Sequence, residues 1–371
     1  MKPSENKNVL FVMHSMVYGG AEYQVGQIAK ACSEQGLECY YVLEERSSEI
    51  KQKIDLGKTD SHVVHMNLGT RCLVIAMILF YMKMFVFLMA HKINVVFIYE
   101  KYGILVIPLL KVLGLKIVYS ERNSGEWIVK RFIYRLLLNR CVYLTCNSDY
   151  AYETMKKKLK PPVFKINNYV NVPVDVEKKQ LLGKSNQISV LIPARISPEK
   201  NQKVVLQALC ENSLSISKNI NLILAGKIDD VEYKRELDLC LQKTKGISCS
   251  IEFLGFIEDK KLMYSKCDIV VLPSFSEGTP NVVLECFARK IPVIASNIPQ
   301  NRTLFENDDF LFDPNDSQSF LKVMNKMVSS TSSDIEKFIL RNYEFVKNNF
   351  GLASGPLKYV ELFNSVLTNR S

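Results

Sequence analysis

The sequence predicts an α/β protein built from two doubly wound, parallel-sheet domains that face a cleft. Three observations carry this. The chain has 371 residues, more than one ordinary core organises. Short β-branched or aromatic runs alternate with longer helical stretches, the pattern of parallel strands joined by crossover helices. The alternation also occurs twice, with a polar break between the two series.

In the first series the strand-like runs are NVLFVMH, ECYYVLE, HVVHMN, NVVFIYE, KIVYSE and VYLTCNS. In the second they are ISVLIPA, INLILAG, SIEFLG, DIVVLPS and IPVIAS. The break, NVPVDVEKKQLLGKSNQ at 171–187, carries Pro173 and Gly183 and precedes a fresh strand, as a domain linker does. The expected organisation is therefore a first domain over 1–172, a linker over 173–187 and a second domain over 188–352, with 353–371 as a C-terminal helix. SGPLKYVELFNSVL within that last stretch has an amphipathic helical pattern.

Composition narrows the function. Hydrophobic residues make up 47% and charged residues 23%, which describes a globular chain with ample core. The ten cysteines include no Cys-x-x-Cys pair. They read as reduced core thiols in a cytoplasmic protein, against the alternatives of a metal or disulfide site. The apolar run in MKPSENKNVLFVMHS is too short for a signal peptide and reads as the first strand. Residues 72–90, CLVIAMILFYMKMFVFLMA, approach transmembrane length, but Lys83 lies near the middle. A centred lysine costs about 2.5–3.5 kcal/mol even on an insertion scale, so the segment reads as a buried helix.

The net charge of +10 is uneven: residues 1–180 hold 25 Lys and Arg against 16 Asp and Glu. A positive field there favours an anionic partner. With no zinc-finger, KH or RRM pattern, a phospholipid surface or phosphorylated substrate fits better than nucleic acid. EWIVKRFIYRLLLNRCVY at 126–143 sets Lys130, Arg131 and Arg135 beside an apolar helical face, a composition suited to an anionic membrane and equally to a docked helix with a solvated basic side.

Ligands of open α/β sheets bind beyond the carboxyl ends of strands, and three chemistry-bearing stretches fall there. After the first strand, Gly19 and Gly20 end a loop and a helix begins. Glycines admit close backbone approach and helix amides favour anions, although a tight turn explains the pair as well. After ISVLIPA, Arg195 and Lys200 lie five residues apart around Ser197-Pro198-Glu199. There Ser197 is the expected helix cap, with Pro in the first turn. Two cations at a strand end suit a diphosphate. After DIVVLPS, Glu277 and Gly278 occupy a loop, Thr279 and Pro280 are expected to start a helix, and Glu285 lies within the apolar VVLECFA. A half-buried carboxylate there needs donors, and polyol hydroxyls supply them; a structural salt bridge is the alternative. His14 follows the first strand, while His62 and His65 read as strand packing without metal-ligand spacing.

The stretch Ser274, Glu277-Gly278, Pro280, Glu285 resembles the Glu-x7-Glu motif of the retaining glycosyltransferases of family 4. The resemblance extends to YGGAE at 18–22, VYLTCNS at 142–148, INNYVNV at 166–172, PARISPEKNQ at 193–202 and FLGFIEDKKLMYSKCDIVVLPS at 253–274. It implies the GT-B architecture, two Rossmann-like domains with the C-terminal helix packing back on the first. It implies that Arg195 and Lys200 neutralise the donor diphosphate, that Glu285 holds ribose hydroxyls and that Glu277 holds the donor sugar as a catalytic residue. Gly278 and Thr279 amides would face the donor, and Gly20 the diphosphate. His14 would touch donor or acceptor, and Glu121 and Arg122 the acceptor or sugar. The implied activity is transfer from a nucleotide-diphosphate sugar to a glycan acceptor, lipid-linked as in many relatives, on the inner face of the plasma membrane in bacterial cell-surface polysaccharide synthesis. No cofactor is implied, and the lack of any Asp-x-Asp triplet argues for metal-independent chemistry. A silent sugar-binding scaffold subunit, or a GT-B-like epimerase or phosphorylase, are the alternatives. The chain departs from the family at Lys290, where glycine is usual, at Asn168-Tyr169-Val170-Asn171 in place of Asn-Gly-Val-Asp, and at Ser120-Glu121-Arg122, where a histidine is common.

Overall fold

The computed structural model describes residues 7–13, 20–43, 63–65, 73–99, 101–173, 186–212, 219–242, 249–352 and 355–368. Its contacts divide the chain into two compact units, Met1–Tyr169 with Leu352–Ser371, and Val170–Gly351.

The first unit holds a seven-stranded sheet: β1 (Lys7–Met13), β2 (Leu37–Leu43), β3 (Val63–His65), β4 (Val95–Tyr99), β5 (Lys116–Glu121), β6 (Tyr143–Cys146) and β7 (Val163–Lys165). Its order is β3-β2-β1-β4-β5-β6-β7, and every pairing is parallel. Between strands run α1 (Gly20–Glu34), α2 (Leu73–His91), α3 (Ile107–Val112), α4 (Glu126–Val129), α5 (Phe132–Leu138) and α6 (Asp149–Lys156). Side chains alternate across β1. Leu10 and Val12 join α2 to α6 in one core, while Val9, Phe11 and Met13 join α1 in another. The period of two thus feeds two helical layers. Strands covered on both faces need no polar alternation, which is why VVFIY reads as a continuous apolar run.

The second unit holds a six-stranded sheet: β8 (Gln187–Pro193), β9 (Asn219–Ala225), β10 (Cys249–Gly255), β11 (Ile269–Leu272), β12 (Val293–Ser296) and β13 (Leu311–Phe312). The order is β10-β9-β8-β11-β12-β13, again all parallel. Its helices are α7 (Gln202–Asn212), α8 (Val231–Gln242), α9 (Lys260–Ser265), α10 (Asn281–Ala288), α11 (Pro299–Arg302), α12 (Ser317–Ser329) and α13 (Ser332–Phe350). The chain then returns to the first unit as α14 (Gly355–Thr368), which packs on α1 and β4 through Tyr359, Val360 and Phe363. This is the GT-B class of fold.

All eleven expected strands appear, and the two extra ones, β7 and β13, are short edge strands of three and two residues. Two local expectations change. Helix α2 is not buried throughout: Met84, Phe87 and Leu88 enter the core, but Met82, Val86 and Met89 are exposed. The segment after β8 is not one helix but a 3-10 turn, Pro198–Lys200, followed by α7. Asn201 separates them in the left-handed conformation at φ 51°, which asparagine tolerates better than most residues.

Candidate functional site

In the second sheet the chain runs outward from β8 to β10, then restarts beside β8 at β11 and runs the other way. The crevice at the carboxyl ends of β8 and β11 is thus the point where strand order reverses, the usual ligand position in open α/β sheets. Arg195 and Lys200 follow β8, and Glu277 follows β11. Three hydrogen bonds fasten these loops in place. Asn201 Nδ2 donates to the carbonyls of Pro273 (3.2 Å) and Pro314 (2.7 Å), and the Phe275 amide donates to the Glu199 carbonyl (3.0 Å). Gly226, after β9, allows the next loop to close in: a Cβ there would lie 2.0 Å from the Ala194 carbonyl oxygen.

The charges are paired within this frame. Lys200 Nζ lies 2.8 Å from Glu277 Oε1, and both side chains are largely buried. Arg195 pairs with Asp229 and stays more than half exposed. Glu285, 9% exposed, points its Oε1 at Lys260 Nζ (2.5 Å), while its Oε2 accepts from the Tyr264 hydroxyl (2.9 Å). Burial, and then the adjacent Glu285 charge, push the Tyr264 phenol well above its ordinary pKa. It therefore stays a donor over the whole neutral range. Gly278 and Thr279 are half-buried in the loop before α10.

Helix starts differ from expectation by a residue. Pro280, not Thr279, is the N-cap of α10, and no side chain caps it. Ser197 does occupy the N-cap position of its turn but makes no capping bond, and its buried hydroxyl has no hydrogen-bond partner. Lys260, Tyr264, Asp229 and Asn201 were not singled out by sequence reasoning. The readable signal was FIEDKKLMYS, where Asp259 caps α9 through the amides of Lys261 and Leu262. That fixes Lys260 in the first turn and Tyr264 one turn later, on one face.

The other expected residues lie in the first unit. Gly20 is the first residue of α1, so the amides beside it suit an anion. His14 and His62 fall outside the described residues, and His65 ends β3. Glu121 and Arg122 lie at the carboxyl end of β5, both buried. Glu121 Oε1 accepts from the amides of Arg122 (3.1 Å) and Asn123 (2.8 Å), and Oε2 from Tyr119 (2.9 Å). Arg122 donates from Nε to the Tyr99 hydroxyl (2.7 Å) and from Nη1 to Asn168 Oδ1 (3.2 Å), while Nη2 has no hydrogen-bond partner. Burial opposes the Arg122 charge, but the phenols of Tyr359, Tyr99 and Tyr169 more than offset it and hold its pKa above the ordinary arginine value. Lys130 bonds Glu126 (2.6 Å), Arg131 stacks over Trp127 at 4.5 Å, and Arg135 is half-buried on α5.

Residues 174–343 match the family model for glycosyl transferases group 1. The match covers 170 of the 371 residues, less than half of the chain. The matched stretch contains Arg195, Lys200, Glu277, Gly278, Thr279 and Glu285. An Escherichia coli relative, UDP-Gal:alpha-D-GlcNAc-diphosphoundecaprenol alpha-1,3-galactosyltransferase, is 28% identical over 200 residues, 52% of this chain and 50% of its own. A Campylobacter jejuni relative is a GalNAc-alpha-(1->4)-GalNAc-alpha-(1->3)-diNAcBac-PP-undecaprenol alpha-1,4-N-acetyl-D-galactosaminyltransferase. It is 28% identical over 199 residues, 50% of each chain. The matches thus span about half the length of these curated relatives. Over the whole fold the chain resembles Anabaena Alr3699/HepE, solved with UDP and glucose, at a TM-score of 0.81 and 18% identity, covering 97% of this chain and 100% of that one.

The end of α10 also explains Lys290. This residue follows α10 at φ 56°, with its amide donating to Phe287 and that of Ile291 to Cys286. Such a helix exit favours glycine, so the lysine accepts a left-handed conformation there while its ammonium sits 4.5 Å over the Tyr343 ring.

Proposed function

We propose that this protein is a retaining glycosyltransferase that moves a sugar from a nucleotide-diphosphate donor to a lipid-linked glycan acceptor, in bacterial cell-surface polysaccharide synthesis. The observation that carries the reading is the Lys200–Glu277 pair at the strand-order switch, within a segment that matches glycosyl transferases group 1. Arg195 and Lys200 bind the diphosphate. Glu277, released from Lys200 as phosphate takes its place, accepts from the donor-sugar hydroxyls. Glu285, paired with Lys260 and oriented by Tyr264, accepts from the ribose, and the amides of Gly278 and Thr279 face the donor.

The reaction needs a polarised leaving group more than a protein nucleophile. As the anomeric carbon–oxygen bond to phosphate breaks, charge builds on the diphosphate, and fixed cations stabilise it. The acceptor hydroxyl attacks the same face, forms the new bond to the anomeric carbon, and passes its proton to the departing phosphate. Configuration is retained without a covalent intermediate. The reaction uses no metal, because Arg195, Lys200 and helix-terminal amides such as those at Gly20 supply the positive field. His14 contacts donor or acceptor, and Glu121 and Arg122 serve the acceptor side.

The acceptor assignment draws on the two relatives, whose names carry diphosphoundecaprenol or PP-undecaprenol substrates. The protein works as a peripheral protein on the cytoplasmic face of the plasma membrane, with Lys130, Arg131 and Arg135 at the anionic surface. Incubation with a panel of nucleotide sugars and synthetic polyprenyl-diphosphate saccharides, read by mass spectrometry, tests the reading. One acceptor should gain the mass of one sugar. Donor binding without turnover on any acceptor would point instead to a silent scaffold subunit.

A further inference from the structure

Helix α2 has two apolar sides. Met84, Phe87 and Leu88 fill the core, whereas Leu79, Met82, Val86 and Met89 line the opposite side and face solvent. Their spacing of three, four and three residues makes one continuous helical stripe. Met82, Val86 and Met89 are 59%, 64% and 62% exposed, and contiguous apolar patches on such a scale mark interaction surfaces. The stripe continues onto neighbouring elements. The Tyr81 hydroxyl bonds the Leu105 carbonyl, which holds the segment Lys101–Val106 against α2. Helix α5 packs on that segment and exposes Phe132 and Ile133. The inner sides of all these elements enter one core on one side of the sheet, so their outer sides form one surface layer.

The charge of this layer identifies what covers it. Between Asp60 and Glu121 the sequence has a single carboxylate, Glu100, and between Glu126 and Asp149 it has none. Lys83, Lys92, Lys111 and Arg131 are all exposed. An apolar stripe flanked by cations, nearly free of acid, complements an anionic bilayer interface. A second copy fits poorly, since two-fold pairing would set these lysines against themselves with too few carboxylates to neutralise them. Among the described residues no helix is long and apolar enough to cross a membrane.

We propose that α2 lies in the plane of an anionic bilayer and inserts its Leu79, Met82, Val86 and Met89 stripe among the acyl chains, while Arg131 and its basic neighbours meet the headgroups. This rests on the membrane-facing reading above and goes further by assigning insertion to α2. The attachment therefore has a salt-sensitive part, from the cations, and a salt-resistant part, from α2.

The chain has one tryptophan, Trp127 on α4, so its emission reports the basic surface alone. A second reporter carries Trp127→Phe with Val86→Trp. Both are titrated with vesicles of phosphatidylglycerol and phosphatidylethanolamine bearing brominated acyl chains. The proposal expects quenching of both reporters. It also expects the Met82→Ser, Val86→Ser, Met89→Ser variant, with an unchanged circular-dichroism spectrum, to bind vesicles about tenfold more weakly or worse, and to release fully in high salt. Quenching of Trp127 without quenching of the α2 reporter overturns insertion by α2 and leaves an electrostatic contact standing. Quenching of neither overturns the membrane-facing reading as well. A blue shift of the α2 reporter that grows with protein concentration without vesicles, matched by dimer in sedimentation, overturns the proposal in favour of a second copy.

Discussion

Lys200 and Glu277 lie 77 residues apart in sequence and 2.8 Å apart in space, one after β8 and one after β11. Each is the other's counter-ion. In the proposed function a donor exchanges partners with this pair, whose mutual contact offsets part of the desolvation cost of two largely buried charges.

Replacing either partner should separate these roles. Lys200→Ala removes a charge-assisted contact worth about 1.5–3 kcal/mol, so kcat/KM for the donor should fall roughly ten- to a hundredfold. Glu277→Gln keeps the shape but loses the ionic acceptor, and should lower kcat more than it raises the Kd for free nucleoside diphosphate. Steady-state kinetics and calorimetric titration check both. Equal effects of Glu277→Gln on diphosphate affinity and on turnover would contradict the division.

Tyr264 and Glu285 form the second coupled pair. Tyr264→Phe removes the hydroxyl that fixes Oε2 and leaves that oxygen buried without its donor, a loss of about 1–3 kcal/mol. Nucleoside affinity should weaken severalfold with little change in turnover at saturating donor. A kcat loss with unchanged affinity would show that Tyr264 acts elsewhere.

Lys290→Gly should stabilise the protein. A left-handed lysine costs about 1–2 kcal/mol. Glycine removes that strain but gives up the contact with Tyr343 and adds unfolded-state entropy. The net expectation is a gain of about 0.5–1 kcal/mol in urea unfolding. A loss of stability would mean that the Tyr343 contact outweighs the strain.

High pH should destabilise the fold in a defined window. Burial pushes the Cys141 and Cys146 thiols up to about 12. In the unfolded chain they release protons near pH 8.5, so there the native state holds more protons. Stability is fully present below about pH 8.5 and is lost as pH rises toward 12, at about 1.4 kcal/mol per pH unit for each thiol. Cys141→Ala should flatten this slope by one proton's worth in urea unfolding at successive pH values.

The strand pattern was legible because fully covered parallel strands leave unbroken apolar runs, and the chemistry lies just past their ends. The places of Arg195 and Lys200 after β8 and of Glu277 after β11 were readable for that reason. Lys260 and Asp229 were not: the Asp259 cap places Lys260 in the first turn of α9, but its pairing with Glu285, like that of Asp229 with Arg195, is long-range and no local pattern encodes it. The exposed half of α2 was hidden for the opposite reason. Its outer side is as apolar as its inner side, so periodicity could not tell core from surface.

The most direct test of the central claim is release of nucleoside diphosphate from a panel of nucleotide sugars, measured for the unaltered protein and for Lys200→Ala side by side. The account predicts turnover of at least one donor, accelerated by a polyprenyl-diphosphate saccharide and lost in the variant while its fold is preserved. Turnover unchanged by Lys200→Ala, or no binding and no turnover of any donor in the panel, would contradict it.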